Sequence, residues 1–167
     1  MTSTFRIIIC LAFAWQCGSA LAADLTGTAS IIDGDTISIG DTQIRLWGID
    51  APERDQTCVG VNGDVYGCGR DAAAVLSELT RDHQVACTPR DFYRYDGIVA
   101  VCRTDSDELN MAMVRRGWAV DDTKYSGGRY LSGEVQARRE RLGMWSGRFE
   151  MPWEWRRRHA GNHEPSG

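Results

Sequence analysis

The sequence predicts an α+β fold, a small closed barrel of five antiparallel strands carrying about three helices. Three observations predict it. Short β-rich runs bounded by Gly and Asp recur along the chain. Stretches with apolar residues at helical spacing are interleaved with them. Gly is abundant at 18 and Pro scarce at 4 in 167 residues, which suits turn-rich β structure in one ordinary globular domain. Hydrophobic residues at 43% and charged residues at 25% exclude a disordered or fibrous chain.

Residues 1–23 read as a signal peptide, not as fold. Arg6 precedes the apolar run from Ile7 to Trp15, and Ala20-Leu21-Ala22 supplies small residues for cleavage near Ala22 or Ala23. A membrane anchor needs about 20 apolar residues, and Gln16-Cys17-Gly18-Ser19 interrupts the run too early. The chain is therefore expected to be exported, periplasmic or secreted. No second long apolar stretch follows, so no membrane association is expected after cleavage, and a monomer is expected. Residues 24–146 form the folded domain in this reading, and 147–167 a Trp/Arg-rich tail.

Leu25 to Ile32 and Thr36 to Ile39 are the first strand candidates. Gly40-Asp41 fits a tight turn into a third strand from Gln43 to Ile49. There Ile44 and Leu46 share one face, which turns Arg45 and Trp47 to the other. Residues 51–67 are a Gly- and Asp-rich loop. A helix follows from about Gly69, with Ala72, Val75, Leu76 and Leu79 on one stripe. Gln84 to Pro89 and Ile98 to Arg103 complete the strands. A second helix is marked by Leu109, Ala112 and Met113, capped by Ser106 or Asp107. Leu131, Val135 and Leu142 mark a third, where Glu134 can pair with Arg138. Five strands interleaved with helices fall in the class of the oligonucleotide/oligosaccharide-binding barrel. In the tail, Trp153 or Trp155 is expected to pack on the barrel and Arg156, Arg157 and Arg158 to be solvated.

Two of the six cysteines, Cys10 and Cys17, lie in the leader. The even number left in an exported domain reads as two disulfides. Zinc is disfavoured, because no C-x-x-C pair occurs and the three histidines are scattered. The expected pairing is Cys58–Cys68, closing the Gly-rich loop, and Cys87–Cys102, joining neighbouring strands. Acidic residues outnumber basic ones 23 to 19, and Lys124 is the only lysine. That balance argues against coating nucleic acid through a broadly basic surface. A polyanion must be held at a local site.

Chemistry-bearing residues concentrate in Asp33-Gly34-Asp35-Thr36 and in Arg45-Leu46-Trp47-Gly48-Ile49-Asp50-Ala51-Pro52-Glu53. Carboxylates and an Arg at strand ends can converge on one point. Oxygen ligands without His or Cys favour calcium or magnesium over zinc.

Together these motifs resemble the staphylococcal-nuclease-like (thermonuclease) family, whose hallmark is D-G-D-T followed by R-L-x-x-x-D-x-P-E. The likeness extends to Tyr95 with Val99-Ala100, to Arg116-Gly117-Trp118-Ala119, and to Glu134 and Ala137 ahead of Leu142-Gly143-Met144-Trp145. It implies a calcium-dependent phosphodiesterase acting on DNA and RNA. By position, Asp35 and Asp50 would be calcium carboxylates, Ala51 a carbonyl ligand and Asp33 a nearby supporting acid. Glu53 would be the general base and Arg45 a phosphate-binding arginine. Arg94 and Tyr95 would touch substrate. The family's D-[KR]-Y-[GQ]-R segment reads Tyr93-Arg94-Tyr95-Asp96-Gly97 here, so Gly97 stands where a second catalytic arginine is expected, which predicts weakened cleavage. The alternative is an impaired nuclease-like barrel that binds an acidic polymer or serves exopolysaccharide (succinoglycan) biosynthesis.

Overall fold

The computed structural model describes residues 24–92 and 97–160. The proposed leader, Arg94 and Tyr95 lie outside the described residues. The strands are β1 (Leu25–Gly27), β2 (Ala29–Ile31), β3 (Thr36–Ile39), β4 (Thr42–Leu46), β5 (Ile49–Asp50), β6 (Cys58–Val59), β7 (Val65–Tyr66), β8 (Val85–Phe92), β9 (Ile98–Arg103) and β10 (Val120–Asp121). The helices are α1 (Cys68–Thr80), α2 (Leu109–Arg115), α3 (Thr123–Ser126), α4 (Leu131–Glu140) and α5 (Pro152–His159), with one 3₁₀ turn over Gly143–Ser146.

The fold class is the expected one, and the first expected strand explains how the barrel nearly closes. It bends at Thr28 into β1 and β2, which form opposite edges of a six-stranded sheet ordered β1-β8-β9-β4-β3-β2. Because those edges are consecutive in the chain, the sheet curls back on itself, which leaves little edge open to pairing. The turn at Gly40-Asp41 joins β3 to β4, with Gly40 at φ +57°. Most neighbours are antiparallel, but β4 and β9 run parallel, with Arg45 opposite Val99. A parallel pair needs a long crossover, and α1 and β8 provide it. Between β8 and β9 the register shifts at Pro89/Asp91, where proline has no N–H to donate. Cys87 faces Cys102 across this pair and is bonded to it. Cys58 is bonded to Cys68, clipping the small β6–β7 ribbon to the start of α1. Both expected disulfides are present.

Ile37, Ile44 and Leu46 fill the barrel, and Leu76 of α1, Met113 of α2 and Val85 complete the core, all fully or almost fully buried. Three local expectations change. Neither Ser106 nor Asp107 caps α2; their N–H groups donate to Thr104 Oγ1, and Glu108 precedes the helix without a side-chain cap. On α4, Leu131 and Val135 are exposed while Gly133, Glu134 and Ala137 are buried. The close approach of α2 selects the small residues, since a Cβ on Gly133 would lie 2.9 Å from Arg115 Cγ. Glu134 is buried because it accepts the Asp121 N–H at 2.6 Å and pairs with Arg138. Finally, α3 and α5 add helices beyond the three expected. Pro152 at the first turn of α5 is a helix-start signal.

Candidate active site

Asp35 enters the site at the start of β3, and its surroundings fix it firmly. Its N–H donates to Asp33 Oδ1 at 3.0 Å, and its carbonyl accepts the Leu46 N–H at 2.8 Å. Oδ1 accepts from Thr36 Oγ1 at 2.9 Å and Oδ2 from the Ala51 N–H at 3.1 Å. Gly34 is needed beside it, since a Cβ would lie 2.7 Å from Ala72 and 2.8 Å from Ala51.

Arg45 leaves β4 on the face opposite Ile44 and Leu46, as strand alternation requires. Its Nη2 lies 2.9 Å from Asp35 Oδ2 and 2.9 Å from Asp50 Oδ1. Asp50 ends β5, whose pairing with β10 sets it opposite Val120. Glu53 sits on the loop that follows. The first turn of α1 supports that loop so closely that a Cβ on Gly69 would fall 1.8 Å from the Glu53 carbonyl oxygen. Fully buried Gln56 braces the same loop, because its Oε1 accepts the Glu53 N–H at 3.2 Å. Asp35, Asp50, Arg45 and Glu53 thus lie together at one end of the barrel, and Ala51 and Asp33 touch Asp35 directly. Gly97 is buried just before β9.

The tail supplies a residue that motif reasoning missed. Arg156 of α5 is not solvated as expected. Its Nη1 and Nη2 bind Asp50 Oδ1 and Oδ2 at 2.8 and 2.9 Å, and Nη1 also contacts Glu53 Oε1 at 2.6 Å. Burial opposes its charge, but the bonds to Asp50 and Glu53 outweigh that and raise its pKa. The proline-started tail signalled a helix, but no pattern within the triple arginine run distinguishes the inward one. Trp153 remains 39% exposed, while Trp155 is half-buried and stacks on His159.

Burial drives the Asp35 carboxyl up to about 7, against the pull of Arg45 and with a push from Asp33 and Asp50. Arg45 divides its guanidinium between two carboxylates, so it compensates each only in part. Burial, followed by the charge of Asp50, also raises Asp122, on the rim of an adjoining cleft of about 570 Å³.

The donor set fits a hard divalent cation. Carboxylate oxygens from Asp35 and Asp50 converge on a single cationic atom of Arg45, and neither Cys nor His takes part. Among the described residues no group of three His, Cys, Asp or Glu side chains could hold a metal alone. The remaining ligands would have to be backbone, water or substrate oxygens.

The family model described as Staphylococcal nuclease homologue matches residues 43–147. A succinoglycan biosynthesis protein, ExoI, of Rhizobium meliloti is 34% identical over 126 residues, covering 74% of this chain and 66% of its own length. A micrococcal nuclease of Shigella flexneri is 32% identical over 156 residues, 81% of this chain and 82% of its own. An uncharacterized endonuclease of Haemophilus influenzae is 28% identical over 139 residues, 79% and 72% of the two chains.

Proposed function

Because the chain belongs to the staphylococcal nuclease homologue family, we propose that it is an exported, calcium-dependent phosphodiesterase that hydrolyses DNA and RNA as a monomer. The observation that carries this reading is the meeting of Asp35, Asp50, Glu53 and Arg45 at one end of the barrel. The nuclease relatives support the substrate class.

Asp35, Asp50 and the Ala51 carbonyl would hold the cation. Bound there, calcium supplies positive charge toward a phosphodiester and lowers the pKa of water. Glu53 takes the proton as the water oxygen bonds to phosphorus and the ester P–O bond breaks. Arg45 offers a planar fork to the phosphoryl oxygens as charge builds on them. Asp33 keeps Asp35 in place through the Asp35 N–H. A net acidic protein could accept an anionic substrate here because a cation held by Asp35 and Asp50 would offset their charge.

Calorimetry on the full mature chain tests the metal step. Calcium should bind to the wild type and not to Asp35→Ala. Equal affinity in both would remove this site. A second reading rests on Gly97, which has no side chain where the family expects a second arginine, and on the succinoglycan-biosynthesis relative. In that reading the barrel binds an acidic polymer without cleaving it.

A further inference from the structure

The C-terminal helix is stitched to the site more firmly than a surface tail requires. Arg148 and Val59 exchange backbone hydrogen bonds of 2.8 Å in both directions, and Gln56 Nε2 donates to the Glu150 carbonyl at 2.7 Å. Val59 follows the disulfide-bonded Cys58, and Gln56 braces Glu53. The segment entering α5 is therefore tied to the loop that carries Glu53, and Arg156 is delivered to a fixed place.

Arg156 does there what a guanidinium does to a phosphate. Two parallel N–H···O bonds of 2.8 and 2.9 Å seat its fork on one anionic group. Arg45 reaches the same Asp50 Oδ1 at 2.9 Å, so two guanidiniums converge on one oxygen. The Arg156 side chain is 40% exposed and lines two clefts, of about 570 and 370 Å³. The segment entering α5 is anchored by the backbone bonds to Val59 and by Gln56, so holding the helix in place does not require this ion pair.

Charge completes the case. Four carboxyl groups, of Asp33, Asp35, Asp50 and Glu53, stand against the two guanidiniums of Arg45 and Arg156. A divalent cation would offset that carboxylate excess, and a guanidinium released from Asp50 would then face an incoming phosphate. In the arrangement seen here, however, Arg156 covers both oxygens of Asp50 and one of Glu53. Cation binding at Asp50 therefore competes with Arg156 for the same oxygens.

Resting on the reading of the site given above, we propose that Arg156 is a phosphate-binding residue supplied by α5, held on Asp50 and Glu53 as seen here and passed to the substrate phosphate when a divalent cation takes Asp50. It is both an internal competitor of the metal and a contact of the substrate, so one substitution should move two affinities in opposite directions.

Calorimetry on the full mature chain, stripped with chelator, reads both. In Arg156→Gln, calcium alone should bind at least fivefold more tightly. A nucleoside 3′,5′-bisphosphate at saturating calcium should bind at least tenfold more weakly. Arg156→Lys keeps the charge without the fork and should lie between, which separates a lost contact from a detached helix. Arg157→Gln, on a 75% exposed side chain of the same helix, should change neither affinity. Bisphosphate affinity within twofold of wild type in Arg156→Gln would overturn the proposal while leaving the metal site standing. A wild type that binds neither calcium nor bisphosphate would overturn both.

Discussion

Gln56 is hydrogen-bonded through its Nε2 to the carbonyl of Glu150 at 2.7 Å, joining two segments 94 residues apart in the chain. Its Oε1 meanwhile accepts the Glu53 N–H. One buried amide thus sets both the loop of the proposed base and the approach of α5. Gln56→Leu keeps much of the volume but strands the half-buried Glu150 carbonyl and Glu53 N–H. It should cost about 1–3 kcal/mol in denaturant unfolding and slow cleavage as well. A stability loss within 0.5 kcal/mol, as for an ordinary surface change, would contradict this role.

Gly69→Ala tests the same loop from beneath. The new methyl would collide with the Glu53 carbonyl at 1.8 Å, so α1 or the loop must shift. Overpacking of this kind costs about 1–3 kcal/mol, and small displacements of a catalytic group are expensive in rate. Cleavage should fall at least tenfold in protein that still folds at assay temperature. Unchanged kcat would show that Glu53 tolerates movement there.

The disulfides should differ in what they protect. Closing loops of these lengths is worth roughly 2–4 kcal/mol each, so reduction should lower the melting temperature. Replacing Cys58 and Cys68 by Ser should in addition loosen the path to Arg156, through Val59 and Arg148. Hydrogen exchange in α5 should rise in that variant and not in Cys87/Cys102→Ser. Mass mapping should find no free thiol among Cys58, Cys68, Cys87 and Cys102.

The raised Asp35 predicts a pH dependence with a definite sign. Its folded pKa of about 7 lies above the ordinary aspartate value of 3.8, so the folded state binds its proton more tightly than the unfolded state. The stability this contributes is complete below about pH 4 and is lost as pH rises through 7. In chelator, wild-type stability should fall by about 2–4 kcal/mol from pH 5 to pH 8 relative to Asp35→Asn. Calcium should restore stability at pH 8 by binding the folded state. Parallel pH profiles for the two proteins would contradict this.

Much of the barrel was legible because it is written in local pattern. Alternation along β4 sends Ile44 and Leu46 inward and Arg45 to the site, and a Gly-Asp turn fixes the hairpin before it. The carboxylates were legible for the same reason, since each sits in a short motif at a strand end. What sequence could not show depends on contacts across long separations. Glu134 is buried because Asp121 offers it an N–H, so the apolar stripe of Leu131 and Val135 pointed to the wrong face of α4. Arg156 meets Asp50 across 106 residues, whereas the family motif places its second arginine at the position of Gly97. Nothing in a run of three arginines says which one turns inward.

Metal-dependent phosphodiester hydrolysis with Glu53 as base is tested by single-turnover cleavage of DNA, with and without calcium, by the chain from residue 24 onward. The wild type should cut in calcium and stop in chelator. Glu53→Gln, which keeps the shape and removes the basic oxygen, should lower the rate constant by about 10²–10⁴ while calcium still binds. Calcium binding with no cleavage of DNA or RNA by the wild type, or equal rates in wild type and Glu53→Gln, would contradict it.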